Sequence, residues 1–163
     1  IKTVDFPPAY GADIVVSCEK AKDPKNGSIY LKPTQFVLGI GCRRNTAFEN
    51  IDRAIRQSLL KLQIDISDID MIASIDVKKD EPGIKQFCDR NRIEFVTYTA
   101  DELMAVQGEF SASQFVREHV GVDNVCERAA VLACSRECNE AGELIYKKHK
   151  YDRVTVAAAK YPD

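Results

Sequence analysis

The chain has no apolar run near the roughly 18 residues that a membrane-crossing helix needs, so nothing in it suggests a helical span. It has no excess of either charge. Its 23 Lys and Arg face 25 Asp and Glu, for a net charge of -2, which gives no electrostatic case for nucleic acid or an anionic membrane as partner. Histidine is scarce. His119 and His149 sit in unrelated segments, and spacing alone assembles no nucleophile, base and orienting group. Regular cysteine spacing is also missing. Cys18, Cys42, Cys88, Cys126, Cys134 and Cys138 are irregularly placed, and several fall in strand or helix patterns. They read as reduced cytosolic thiols rather than a disulfide framework. Cys134 and Cys138 stand one helical turn apart, but no His or acid completes a ligand spacing, so they read as bystander thiols rather than a metal site. There is no internal repeat, low-complexity tract or signal-peptide pattern. The first residue is Ile1 rather than Met, which suggests a fragment or a processed chain.

The 163 residues suffice for one domain of ordinary size. Residues 1–34 differ from the rest: Phe6-Pro7-Pro8 is extended, 12–17 and 29–31 read as short strands, and Asn26-Gly27 marks a turn in a polar loop. This stretch is too short to bury a core and reads as the end of a preceding region plus a linker. From residue 35 strands and helices alternate. Residues 36–42, 71–77 and 93–97 are strands. Residues 46–62 carry Phe48, Ile51, Ile55, Leu59 and Leu62 at helical spacing, with Thr46 and Glu49 as a capping box. Asp52 with Arg56 and Glu49 with Arg53 are i,i+4 pairs. Pro82 opens a second helix that turns Ile84, Phe87 and Cys88 inward. Thr99 with Glu102, Ser111 with Gln114 and Asn124 with Glu127 signal three more helices, the last running to about 141 with Gly142 as its cap. Residues 143–148 and 154–160 can form a closing hairpin. Strand–helix units in series imply a three-layer α/β/α fold with a mixed, mostly parallel sheet of about five strands.

Four loops could carry chemistry, because ligands of open α/β sheets bind beyond the carboxyl ends of the strands. The first is Gly39-Ile40-Gly41-Cys42-Arg43-Arg44. Its glycines would let a ligand approach the backbone, and its arginines suit carboxylate or phosphate. A tight turn with two solvated arginines fits equally well. The motif is neither a dinucleotide fingerprint nor a P-loop. The second, Asp76 to Gly83, brings Asp76, Lys78, Asp80 and Glu81, able to activate water or position a substrate, or simply a charged loop. The third holds Gly108, Phe110 and Ser111: a cap by one reading, a lid with an aromatic ligand contact by the other. The fourth holds Cys126, Glu127 and Arg128 at a helix start, where a thiolate is favoured and where Glu127 could equally be a capping partner.

At these motifs the chain resembles the C-terminal domain of CbiG-type proteins, which is the CobE-like domain. Residues 37–44 (VLGIGCRR), 74–78 with 80–83, 108–118 with 121–123, 125–130 (VCERAA) and 154–157 are similar to successive motifs of that family in order and spacing. The likeness spans about 35–160, and 1–34 resemble the end of the preceding region. Asn45 stands where the family pattern leads one to expect glycine. The resemblance implies cobalamin biosynthesis in the cytoplasm. The implied reaction is hydrolysis of the lactone of cobalt-precorrin-5A, releasing acetaldehyde. The implied substrate is a cobalt–tetrapyrrole that brings its own metal, so neither cofactor nor protein metal site is required. It also implies a possible contact with an N-terminal CbiG domain outside this chain. By position and chemical type, Asp76 or Glu81 would activate water, and Cys42 or Cys126 would be the alternative nucleophile. Gly39, Gly41, Arg43, Arg44, Lys78, Gly108, Phe110, Ser111, Cys126, Glu127 and Arg128 would line the substrate. A non-catalytic tetrapyrrole carrier and a structural domain docking the N-terminal part are the competing expectations.

Overall fold

A computed structural model describes residues 14–16, 29–31, 36–111, 122, 124–138 and 141–162. The chain divides into two compact units, Ile1–Thr34 and Gln35–Asp163. In the first, β1 (Ile14–Val16) pairs in parallel with β2 (Ile29–Leu31). The expected extended start at Phe6 and the polar loop around Asn26 lie outside the described residues.

The second unit is built on five strands: β3 (Phe36–Cys42), β4 (Ile69–Ile75), β5 (Glu94–Tyr98), β6 (Glu143–Lys150) and β7 (Val154–Lys160). They lie side by side in the order β5-β4-β3-β7-β6. β3, β4 and β5 are mutually parallel. β7 is antiparallel to both β3 and β6, so it alone runs in reverse. Successive side chains of a strand face opposite ways, and two apolar layers result. Leu38 and Ile40 join Ile72, Val156 and Ala158 under the helices α1 (Phe48–Leu62) and α2 (Pro82–Asn91). Val37, Met71, Ala73 and Ala159 face α3 (Ala100–Ala105) and α4 (Val125–Cys138) on the other side. The expected three-layer arrangement with a mixed sheet is therefore the observed one.

The helices follow their signals with informative exceptions. Ile51, Ile55 and Leu59 of α1 are buried, each worth about 1.5–3 kcal/mol of apolar transfer. The Thr46–Glu49 capping box does not form. Ala47 is the N-cap and makes no side-chain cap bond, because the Thr46 hydroxyl donates to the Arg43 carbonyl and its N–H to Glu81. The second strand ends at Ile75, and Asp76–Lys78 curl into a 3₁₀ turn instead of extending it. The Thr99–Glu102 capping box closes as expected, and Pro82 stands at the start of α2. α4 is described as far as Cys138, and Gly142 is not in the left-handed conformation of the cap that the sequence suggests. Its want of a side chain has another cause: a Cβ there would lie 2.3 Å from that of Cys134. The helix expected from Ser111 and Gln114 lies outside the described residues. Among the described residues no helix is long and apolar enough to cross a membrane.

Candidate functional site: the carboxyl rim of the sheet

The parallel strands end on one rim, and the reversed β7 begins there. Cys42, the last residue of β3, pairs with Val154, the first of β7. The rim therefore collects loop 43–47, the 3₁₀ turn Asp76–Lys78 and the β6–β7 turn.

On the α1/α2 side a carboxylate ties three segments together. Glu81, only 5% exposed, accepts the Thr46 N–H on one oxygen at 3.0 Å and the Lys78 ammonium on the other at 3.2 Å. Both oxygens are thus taken by the protein's own donors. Cys42 sits beside this group. Burial pushes its thiol up to about 11; Lys78 pulls the other way without overcoming it. At neutral pH Cys42 is a neutral thiol. Asp76 is half-buried at the turn, and no described residue hydrogen-bonds or pairs with its carboxylate.

Arg43 and Arg44 are exposed in the loop. Asn45 follows at φ 55, in the left-handed region, which asparagine tolerates better than most residues. The departure from glycine there keeps the turn geometry. Gly39 and Gly41 lie inside β3, not in the loop. A Cβ on Gly39 would fall 1.7 Å from the Cys126 carbonyl oxygen, and one on Gly41 would fall 2.6 Å from the Thr155 hydroxyl. Their bareness lets α4 and β7 close on the strand.

On the α4 side the first helical turn grips loop 106–111. The Glu127 carboxylate is fully buried and accepts three hydrogen bonds: the Ser111 N–H and O–H at 2.8 Å each, and the Lys148 N–H at 2.6 Å. Burial alone would raise its pKa, but these donors outweigh it and hold the carboxyl below the usual carboxylate range. The Ser111 carbonyl accepts from Asn124 and from the Lys148 ammonium. Arg128 donates to the Val106 carbonyl at 2.8 Å and stacks 4.5 Å from the Phe110 ring. Gly108, at φ 148, tucks under that same ring. Asn124 caps α4 through the Glu127 N–H, as expected, while the Glu127 side chain turns to Ser111 and Lys148. Cys126 is buried and its thiol is pushed up to about 12 by desolvation, so the helix start does not yield a thiolate.

The candidates therefore form two groups. Cys42, Lys78 and Glu81 pack with the α1/α2 layer; Phe110, Ser111, Cys126, Glu127 and Arg128 pack with the α4 layer, across the end of β3. A shallow hollow of about 210 Å³ lies between α1 and the β6–β7 turn, lined by Asn50, Arg53, Ala54, Gln57, Tyr151 and Asp152. Sequence reasoning missed Thr46 as a latch, Lys148, Thr155 and Arg153. The last three arrive from the closing hairpin, and no local motif marks them. Arg153 is held to the first loop by its carbonyl, which accepts the Arg43 N–H at 3.0 Å.

Comparison with known proteins agrees with this fold. The chain is 38% identical over 102 residues to a cobalt-precorrin-5A hydrolase of Salmonella typhimurium, covering 63% of this chain and 29% of that protein. It is 31% identical over 137 residues to a probable cobalt-precorrin-5A hydrolase of Methanocaldococcus jannaschii, covering 81% of this chain and 42% of the relative. It spans less than half the length of either. The solved structure of CobE, a protein from the cobalamin (vitamin B12) biosynthetic pathway, superposes with a TM-score of 0.75 at 26% identity, covering 80% of this chain and 93% of that one. The model of the cobalamin synthesis G C-terminus family matches residues 36–159, and the chain belongs to that family.

Proposed function

We propose that the chain is the C-terminal domain of a cobalt-precorrin-5A hydrolase and that its carboxyl rim meets the cobalt–tetrapyrrole substrate. The observation that carries this reading is the 38% identity over 102 residues to an enzyme of that name. Lactone opening needs an attacking water, donors for the tetrahedral oxyanion and cations for the macrocycle's carboxylates. Asp76 is a rim carboxylate left unengaged by described residues, and it activates the water. Glu81 positions Lys78 and Thr46 rather than taking a proton itself. Cys42 and Cys126 are protonated and do not attack. Cobalt arrives chelated in the substrate, and no resident cofactor takes part. The reaction runs in the cytoplasm, with the N-terminal part of the longer protein docked against this domain.

A second reading, a tetrapyrrole carrier without chemistry of its own, draws on CobE, a chain 93% covered by this one, in which the domain stands without an N-terminal part. Tetrapyrrole titration combined with an acetaldehyde assay separates the two. The assay is run on this chain and on a longer protein that carries it. Acetaldehyde from either supports the hydrolase, binding by both without acetaldehyde selects the carrier, and absence of binding by both defeats both readings.

A further inference from the structure

We propose that Arg153, together with Arg43 and Arg44, forms a three-guanidinium cradle for the peripheral carboxylates of a polycarboxylate macrocycle. The inference deepens the proposed function and rests on it for the choice of ligand. Three observations point to it.

The first is placement. The β3–β7 ladder ends at the pair Cys42 and Val154, and the next residues remain tied. The Arg43 N–H donates to the Arg153 carbonyl at 3.0 Å, and the Arg153 guanidinium donates to the Arg44 carbonyl at 3.3 Å. Two segments more than a hundred residues apart thus bring three arginines to one point of the rim. Directly opposed residues of an antiparallel pair have Cα atoms about 5 Å apart, so Arg43 and Arg153 leave the backbone close to one another.

The second is backbone strain. Arg153 has φ 62, in the left-handed region. The turn that it closes is a short one, with the Tyr151 N–H donating to the Val154 carbonyl at 2.7 Å. Glycine or asparagine would make that turn with less strain. Turn geometry gives no reason for an arginine here, whereas a task for its side chain does.

The third is uncompensated charge. All three arginines are exposed, and no described acid pairs with Arg43 or Arg44. Asp152, the acid beside Arg153, accepts from the Asn50 side chain at 3.0 Å. Lys78 already has Glu81. Three cations carried on adjoining backbone, with no described acid paired to them, suit a ligand bearing several carboxylates, each able to take forked hydrogen bonds.

The test uses the full chain and uroporphyrin, a porphyrin with eight carboxylates, as probe. Arg153→Asn should keep or raise the melting temperature, since asparagine suits the turn, while weakening uroporphyrin binding about tenfold. The loss should shrink in high salt, and Arg153→Lys should retain part of the affinity. Binding unchanged in Arg153→Asn overturns the proposal, as does a wild-type chain that does not bind the probe. Should Arg153→Asn fail to fold, the double variant Arg43→Ala/Arg44→Ala gives the same decision from the facing loop. Displacement of the probe by low millimolar phosphate would make this a general oxyanion site and overturn the macrocycle assignment. The parent reading fails separately. A longer protein that releases no acetaldehyde, while Arg153→Asn still loses the probe, sinks the hydrolase and keeps the cradle.

Discussion

Ser111 gives both its N–H and its O–H to the carboxylate of Glu127, each at 2.8 Å, and Glu127 has no exposed surface. This contact fixes loop 106–111 on the first turn of α4. Glu127→Gln puts an amide N–H₂ against donors that need an acceptor. It should destabilise the fold by about 2–3 kcal/mol in urea melts. It should also loosen the loop, seen as faster hydrogen exchange at 106–111 than elsewhere. A variant as stable as the parent would show that the clasp contributes nothing.

The same carboxylate sets an acid limit. Its pKa is lowered from 4.5 in the folded chain, so the folded state binds its proton less readily than the unfolded one. Its stabilising contribution is complete above about 4.5 and declines as pH falls through the lower folded value. Melting temperature measured against pH should drop below about 4.5 in the parent, and less steeply in Glu127→Gln. Parallel curves for the two proteins would assign the acid loss to other groups.

Gly39→Ala tests how closely α4 approaches β3. The added methyl would sit 1.7 Å from the Cys126 carbonyl oxygen, a backbone atom that cannot swing away. A loss of about 3 kcal/mol is expected, as for an overpacked core. Gly41→Ala meets only the Thr155 hydroxyl and should cost less. Equal costs at the two positions would contradict the packing described.

Cys42 should behave as an ordinary buried thiol. With its pKa near 11, alkylation by iodoacetamide should be slow at pH 7 and rise steeply only in strong alkali. A rate already at its plateau near neutrality would restore Cys42 as a candidate nucleophile.

The local signals in the sequence were reliable where structure is local. Apolar spacing placed α1 and α2, and the Thr99–Glu102 box marked the start of α3. The three-layer sheet followed from alternating elements. Thr46 shows why other readings failed. It has the spacing of a cap, yet its N–H is claimed by Glu81, 35 residues away, and nothing local records that competition. Gly39 and Gly41 have the look of ligand-approach glycines, but what approaches them is the chain itself. Arg153 and Lys148 reach the rim only because β7 reverses, a pairing that no single segment encodes.

That reversal also governs how the molecule is made. β7 follows the other four strands of the sheet in chain order, yet it sits between β3 and β6. Until residues 154–160 emerge, β3 has one open flank, the hairpin has no second leg, and the rim lacks its third arginine. A nascent or C-terminally clipped chain would thus carry two strand edges exposed to unwanted pairing. The unit is finished by its final seven-residue strand.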